Sequence, residues 1–304
     1  MNQGQPLIPG WIDGCPFQKL VAQKYFSKGS FMIDQPTASD FAAAKQHFDR
    51  EGYAIFRHVI DADLLQEVNA HLDWLHARYP HLRPENYNHE LVRTDPFWVH
   101  LISNERLLDV AQQFIGPDIG LFASHYISKP PFDGQAVLWH QDGSYWPLDP
   151  MEVVTLWLSV DRSDPENGCM RVIPRTQTLD LQELEARTDV PNVLESAIKE
   201  GVVDESQAVD IILNPGDVSV HHPNIIHGSN ANTSPRRRAG LTIRYIPTTT
   251  RIVTKKLWPS AFHLRGQSHP EVNQYNPVPE YVEGEHMPFR GAVKKSAAPT
   301  GSGN

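Results

Sequence analysis

Residues Val153-Val154-Thr155-Leu156-Trp157-Leu158-Ser159-Val160, the dipeptide Asn167-Gly168 and the run Met170-Arg171-Val172-Ile173 decide the fold class. The two runs are short, rich in β-branched residues and bounded by turn formers, which is the signature of strands. Asn-Gly between them is a hairpin signal, because both residues tolerate the positive φ of a tight turn. The same texture continues outward, with strand-like runs at 120–128, 136–141, 211–213, 218–221 and 239–246. Pro130-Pro131, Asp133-Gly134 and Asn214-Pro215-Gly216-Asp217 punctuate them.

Upstream the period changes. A helix is expected over 37–51, with Phe41, Ala44 and Phe48 at helical spacing and Gly52 as its stop. After a short strand at 53–56, a second helix over 61–78 carries the apolar stripe Leu64, Leu65, Val68, Leu72 and Leu75, and a third is expected over 97–114. Helices first and strands afterwards predict a mostly β sandwich or barrel with a helical buttress, rather than an alternating parallel sheet. The expected organisation is an N-terminal arm at 1–33 and one catalytic domain at 34–250. A polar, partly helical insertion at 178–207 interrupts that domain, and an irregular tail at 251–304 ends in a disordered stretch, 296–304.

Among 304 residues, 27 Lys and Arg face 36 Asp and Glu, a formal net charge of −9. That deficit argues against general nucleic-acid binding, which needs a basic surplus to neutralise phosphates. The two cysteines, Cys15 and Cys169, suggest neither a disulfide framework nor a thiolate metal site. The first ten residues lack a charged and apolar leader pattern, and no run is long and apolar enough for a membrane span. The expectation is a soluble, cytoplasmic protein; nothing in the sequence speaks to its oligomeric state.

The chemistry concentrates around Leu138-Trp139-His140-Gln141-Asp142-Gly143-Ser144-Tyr145-Trp146-Pro147. His140 and Asp142 stand two apart at a strand end, so their side chains project to one side. A second histidine has to come from elsewhere, and His227, preceding Gly228-Ser229, is the best candidate. Two histidines and one carboxylate on one face leave coordination positions open, the arrangement used for iron(II) oxygen chemistry. Eleven positions after His227 stands Arg238, beyond the turn at 230–235 and at the edge of an apolar strand. Its planar guanidinium suits a dicarboxylate, whereas Arg236 and Arg237 read as solvated turn residues.

These residues, with Glu166-Asn167-Gly168-Cys169-Met170-Arg171-Val172-Ile173-Pro174, resemble the phytanoyl-CoA dioxygenase family of iron(II)/2-oxoglutarate oxygenases, which includes ectoine hydroxylases. The resemblance runs from about 52 to 245 and implies a double-stranded β-helix, a cupin-like jelly roll. It implies His140, Asp142 and His227 as iron ligands, and Arg238 as the partner of the distal carboxylate of 2-oxoglutarate, assisted by Ser229. Trp157 and Lys129 would line the same cosubstrate pocket. Fe(II) would be the cofactor, with 2-oxoglutarate and dioxygen as cosubstrates.

Relatives that chlorinate lack the carboxylate ligand, so Asp142 points to hydroxylation of an unactivated C–H bond, with release of succinate and carbon dioxide. Arg175 departs from the resemblance, because relatives often carry Gly in that turn. Gln141, Tyr145, Trp146, Arg171 and Arg175 are candidate substrate-pocket residues, and aromatic groups beside a few polar anchors suit a small polar metabolite. Two other readings stay open: a β-barrel binding protein whose histidines are vestigial or hold zinc, and a protein hydroxylase acting on a large partner.

Overall fold

The computed structural model describes residues 32–34 and 38–293, with side chains from residue 40 onward. Most of the expected arm at 1–33 and the expected disordered end at 296–304 lie outside the described residues.

The described chain begins with strand β1 (Met32–Asp34), helix α1 (Ala38–Glu51), strand β2 (Tyr53–Arg57) and helix α2 (Ala62–Arg78). Helices α3 (His89–Val92), α4 (Pro96–Ile102) and α5 (Glu105–Ile115) follow. Strands then dominate: β3 (Ile119–Tyr126), β4 (Val137–His140), β5 (Leu148–Asp149), β6 (Val154–Ser159) and β7 (Met170–Ile173). The remainder are β8 (Leu184–Ala186), β9 (Ser196–Ile198), β10 (Val209–Asp210), β11 (Val218–His221), β12 (Ile226–Ser229), β13 (Gly240–Pro247), β14 (Arg251–Ile252) and β15 (Phe262–Arg265).

Local chemistry sets the helix boundaries. Asp61 accepts a hydrogen bond from the Leu64 amide at 2.9 Å and so starts α2. The single helix expected over 97–114 is two helices. The Asn104 side chain accepts from the Arg106 amide at 3.1 Å, capping α5 and ending the run from α4.

A seven-stranded sheet, ordered β1-β2-β11-β6-β13-β3-β15, faces a four-stranded sheet ordered β10-β7-β12-β4. Within them only β1 and β2 pair in parallel. This is a double-stranded β-helix with helices packed outside the larger sheet.

The alternation of side chains assigns the two faces of that sheet. Leu156, Val220 and Ile243 are in register across β6, β11 and β13 and pack with Leu72, Trp98 and Leu107 of the helices. The other parity, Thr155, Trp157, Ser219, His221, Thr242 and Arg244, turns toward the smaller sheet. This inward polar face is the floor of the site.

Four further expectations are corrected. Asn167-Gly168 does not join β6 and β7 in a hairpin, because the two strands lie in different sheets and Pro165–Asn167 forms a 3-10 turn between them. The segment 178–207 contains no α-helix; it forms the β8–β9 hairpin, with a 3-10 turn at Glu205–Gln207. Its leucines mimic a helical period, but Leu179 and Leu181 remain about half exposed, and Pro191 disfavours a helical Val190. The 211–213 run is displaced to β10, leaving Leu213 in an isolated bridge with Ser163. The stretch beyond 250 is not irregular throughout, because β15 extends the larger sheet beside β3 and buries Phe262. Among the described residues, no helix is long and apolar enough to cross a membrane.

Candidate active site

β12 runs antiparallel to β4 and places His227 opposite His140, with ring centroids 4.1 Å apart. Between His227 and Ser229 the register with β4 shifts, an irregularity of the kind that re-aims side chains beside functional sites. Asp142 follows β4 in a short 3-10 turn, Asp142–Ser144. A Cβ on Gly143 would lie 2.5 Å from Asn224 Oδ1, so any side chain there would have to displace the Asn224 amide.

One ligand atom each from His140, Asp142 and His227 lies within 4.8 Å of the others, and all three residues are buried. His140 Nε2 is 3.5 Å from Asp142 Oδ1, and His227 Nε2 is 4.0 Å from Asp142 Oδ2. His140 Nδ1 donates to the Leu138 carbonyl at 2.8 Å, and His227 Nδ1 donates to the Ile225 carbonyl at 3.0 Å. Each ring is thereby held in the tautomer whose Nε2 lone pair faces Asp142, the form a metal requires. The donor set therefore fits a divalent metal with two neutral imidazoles and one carboxylate.

Electrostatics agree with the geometry. Burial alone would raise the Asp142 carboxyl, but the Arg244 guanidinium beside it holds it well below the usual range. Burial, followed by the neighbouring His140, keeps His227 well below its ordinary value and thus neutral.

Arg238 precedes β13 and pairs through its backbone with Lys129, N–H to carbonyl in both directions at 2.8 and 3.0 Å. Its guanidinium is buried over the Trp157 ring at 4.7 Å, with Nε and Nη1 lacking any hydrogen-bond partner. Burial lowers its pKa to about 10. Lys129 is fully buried and donates to the Ser229 hydroxyl at 2.7 Å and to the Asn230 carbonyl. Arg238, Trp157, Ser229 and the three metal-set residues line one cavity. Lys129 acts from behind it, by holding Ser229. Arg236 and Arg237 face outward, ion-paired to Asp164 and Asp161, each at 2.8 Å.

The five candidate substrate-pocket residues do not gather in the cavity. Gln141 is buried, but its amide is committed: Nε2 donates to the Asn224 carbonyl at 2.8 Å, and Oε1 accepts from the Gln182 amide at 2.7 Å. Arg171 lies on the outer face of β7, 5.3 Å from the Trp139 ring centroid and 3.4 Å from Asp210, because the pleat that turns Met170 inward turns Arg171 out. Arg175 is mostly exposed and paired with Glu51 at 2.9 Å. Its φ of 70° is left-handed, the conformation that glycine adopts most readily. Tyr145 sits at the rim and bonds Ser196 of β9 at 2.7 Å. Trp146 lies under Arg244, 5.0 Å from ring centroid to guanidinium carbon.

Two inward residues are missing from the sequence-based set. His221 Nε2 is 3.7 Å from Asp142 Oδ2, and both of its ring nitrogens lack hydrogen-bond partners. Arg244 Nε is 3.8 Å from the same oxygen. The signal for Arg244 was present: Arg238, Gly240, Thr242 and Arg244 share one parity, while Leu241, Ile243 and Tyr245 share the other.

Comparison with known proteins matches residues 48–240 to the phytanoyl-CoA dioxygenase (PhyH) family model. The ectoine dioxygenase of Sphingopyxis alaskensis is 27% identical over 245 residues, 72% of this chain and 79% of that protein. Peroxisomal phytanoyl-CoA dioxygenase of Bos taurus is 30% identical over 150 residues, 46% of this chain but only 43% of the bovine protein. Among solved structures, EctD from S. alaskensis with 2-oxoglutarate and 5-hydroxyectoine superposes with a TM-score of 0.59 at 20% identity, covering 83% of this chain and 91% of that one.

Proposed function

The chain belongs to the phytanoyl-CoA dioxygenase family of iron(II)- and 2-oxoglutarate-dependent dioxygenases, and from that premise we propose that it hydroxylates an unactivated C–H bond of a small metabolite. In this reading His140, Asp142 and His227 hold the iron. Arg238 receives the distal carboxylate of 2-oxoglutarate, with Ser229 beside it and Trp157 beneath. The observation that carries the reading is the paired tautomer lock: two backbone carbonyls fix two imidazoles so that both Nε2 atoms face one buried carboxylate.

When bound, iron(II) and 2-oxoglutarate supply an oxidant from dioxygen, with succinate and carbon dioxide as coproducts. The chain's residues supply the rest. Leu138 and Ile225 orient the ligand rings, and Asp142 is kept ionised by Arg244. The Arg238 fork, unpaired in Nε and Nη1, has donors free for a carboxylate. Val193 and Leu194, from the loop between β8 and β9, form part of one wall of the cavity. That metabolites rather than macromolecules are the substrates is supported by the ectoine dioxygenase likeness.

A metabolite screen that follows 2-oxoglutarate-dependent succinate release tests the proposal. The expected hit couples succinate to a product heavier by one oxygen atom. Turnover with peptides and with no small molecule would contradict it.

A further inference from the structure

Arg244 lies beside Asp142 and helps to keep it ionised, but the reading above gives it no contact with substrate or cosubstrate. It is 7% exposed, and it lines the cavity from the larger sheet. It stands six positions beyond Arg238 on the same face, roughly 20 Å along an extended strand. A single dicarboxylate that reaches Arg238 therefore leaves Arg244 free, on the Asp142 side of the cavity.

The surroundings hold this guanidinium in place. Arg244 Nη1 donates to His125 Nδ1 at 2.8 Å and to the Thr242 hydroxyl at 3.1 Å. Arginine can only donate, so His125 Nδ1 is an acceptor and its proton resides on Nε2. That Nε2 donates to His89 Nδ1 at 3.1 Å, and His89 stacks on Trp258 with centroids 5.4 Å apart. The Trp146 ring covers the guanidinium at 5.0 Å. Yet Arg244 Nε has no hydrogen-bond partner, and its 3.8 Å approach to Asp142 is too long to be one.

Charge leads in the same direction. Asp142 is the only carboxylate lining the cavity among the described residues. Iron(II) and two guanidinium groups bring four positive charges. Asp142 and the 2-oxoglutarate dianion return three. The cavity so loaded would carry one net positive charge, in a buried site where an unpaired charge is costly.

We propose that Arg244 anchors an oxyanion on the substrate (a carboxylate, sulfonate or phosphate group), so that the enzyme acts on anionic metabolites. This rests on the metal and cosubstrate assignment above. His125 and His89 are positioning residues that orient the guanidinium.

The test is calorimetric titration of zinc-loaded, 2-oxoglutarate-saturated protein at constant ionic strength. Probes are acetate, benzoate, methanesulfonate and inorganic phosphate, with acetamide and benzamide as uncharged counterparts. At least one anion is expected to bind while both amides do not. Arg244→Gln should weaken that binding about tenfold or more, the scale of a hydrogen bond to a charged group. Arg244→Lys, which keeps a cation beside Asp142, should recover part of it and should still take up zinc and 2-oxoglutarate. Equal binding of the amides, no anion binding, or anion binding indifferent to Arg244→Gln would overturn the inference. So would an Arg244→Lys variant that takes up zinc like wild type yet binds the anion no better than Arg244→Gln, which would make Arg244 only a counter-ion to Asp142. Wild-type protein that fails to take zinc or 2-oxoglutarate would instead overturn the reading beneath it.

Discussion

The Arg238 guanidinium carbon lies 4.7 Å from the centroid of the Trp157 ring, with its Nε and Nη1 free of protein partners. A buried cation stacked on an indole and still offering donors is arranged to receive an anion. Arg238→Ala should weaken 2-oxoglutarate binding by about 2–5 kcal/mol, the cost of removing one partner of a buried charged pair, while metal binding persists. Arg236→Ala and Arg237→Ala should leave 2-oxoglutarate affinity nearly unchanged, because those side chains are tied to Asp164 and Asp161. Equilibrium binding of the cosubstrate to the three variants checks this. Sensitivity at Arg236 or Arg237 instead would contradict the register across the turn.

Gly240 sets the height of that platform. A Cβ there would meet Trp157 Cζ2 at 2.0 Å, so any side chain displaces the indole. Gly240→Ala should destabilise the fold by about 1–3 kcal/mol, the usual range for overpacking, and should also weaken 2-oxoglutarate binding. Chemical denaturation and cosubstrate titration of the same variant measure both effects. Wild-type values in both would show that the ring does not support the site.

The candidate metal pair His140 and Asp142 was legible because two-residue spacing on a strand survives folding. Arg238 was legible because it stands at the edge of the strand that follows His227. Ser229, Trp157 and Lys129 came only with the family resemblance. The substrate wall was not legible, for physical reasons. Arg171 looked available until the pleat turned it outward with Asp210. Gln141 looked like a pocket amide, yet backbone groups of two distant loops use both ends of it. The partial leucine period at 179–184 suggested a helix, but pairing between β8 and β9 made a hairpin. Arg244 was readable from strand parity alone, once the inward face of β13 had been fixed by Arg238, whereas His221 lies on β11, whose inward face that parity does not fix.

Acid should destabilise the metal-free protein. Burial, then the neighbouring His221, pushes His222 down from 6.5 to about 4, and its Nδ1 accepts from the Asn224 amide at 3.0 Å. Below pH 6.5 the unfolded chain takes up a proton that the folded chain refuses until about pH 4. Stability is therefore complete above the unfolded value and falls as pH drops through this window, by on the order of 2–3 kcal/mol for this one group. His47, His89, His100 and His125 are lowered in the same direction, mainly by burial. Urea midpoints of the metal-free protein should fall between pH 7 and pH 5, and His222→Asn should flatten part of the slope. Midpoints that stay level or rise would contradict the assignment of neutral buried histidines.

The β8–β9 hairpin should respond to occupancy. Val193 donates to the Ala136 carbonyl at 3.0 Å, and Val193 and Leu194 line the cavity. Amide hydrogen exchange across 187–198 should slow when metal and 2-oxoglutarate are bound anaerobically, since local opening of this wall would then expose the ligands. Unchanged exchange there, alongside new protection of β4 and β12, would leave the hairpin a fixed wall without a gating role.

Anaerobic titration of metal-free protein with iron(II) and then 2-oxoglutarate, followed by visible absorption, tests the metal and cosubstrate assignment most directly. Wild type should develop the charge-transfer band of a chelated iron–2-oxoglutarate complex, saturating at one equivalent of iron. His140→Ala, Asp142→Ala and His227→Ala should each lose it. A wild-type protein that binds iron without the band, or a His227→Ala variant that keeps the band at wild-type strength, would contradict the assignment of these three residues.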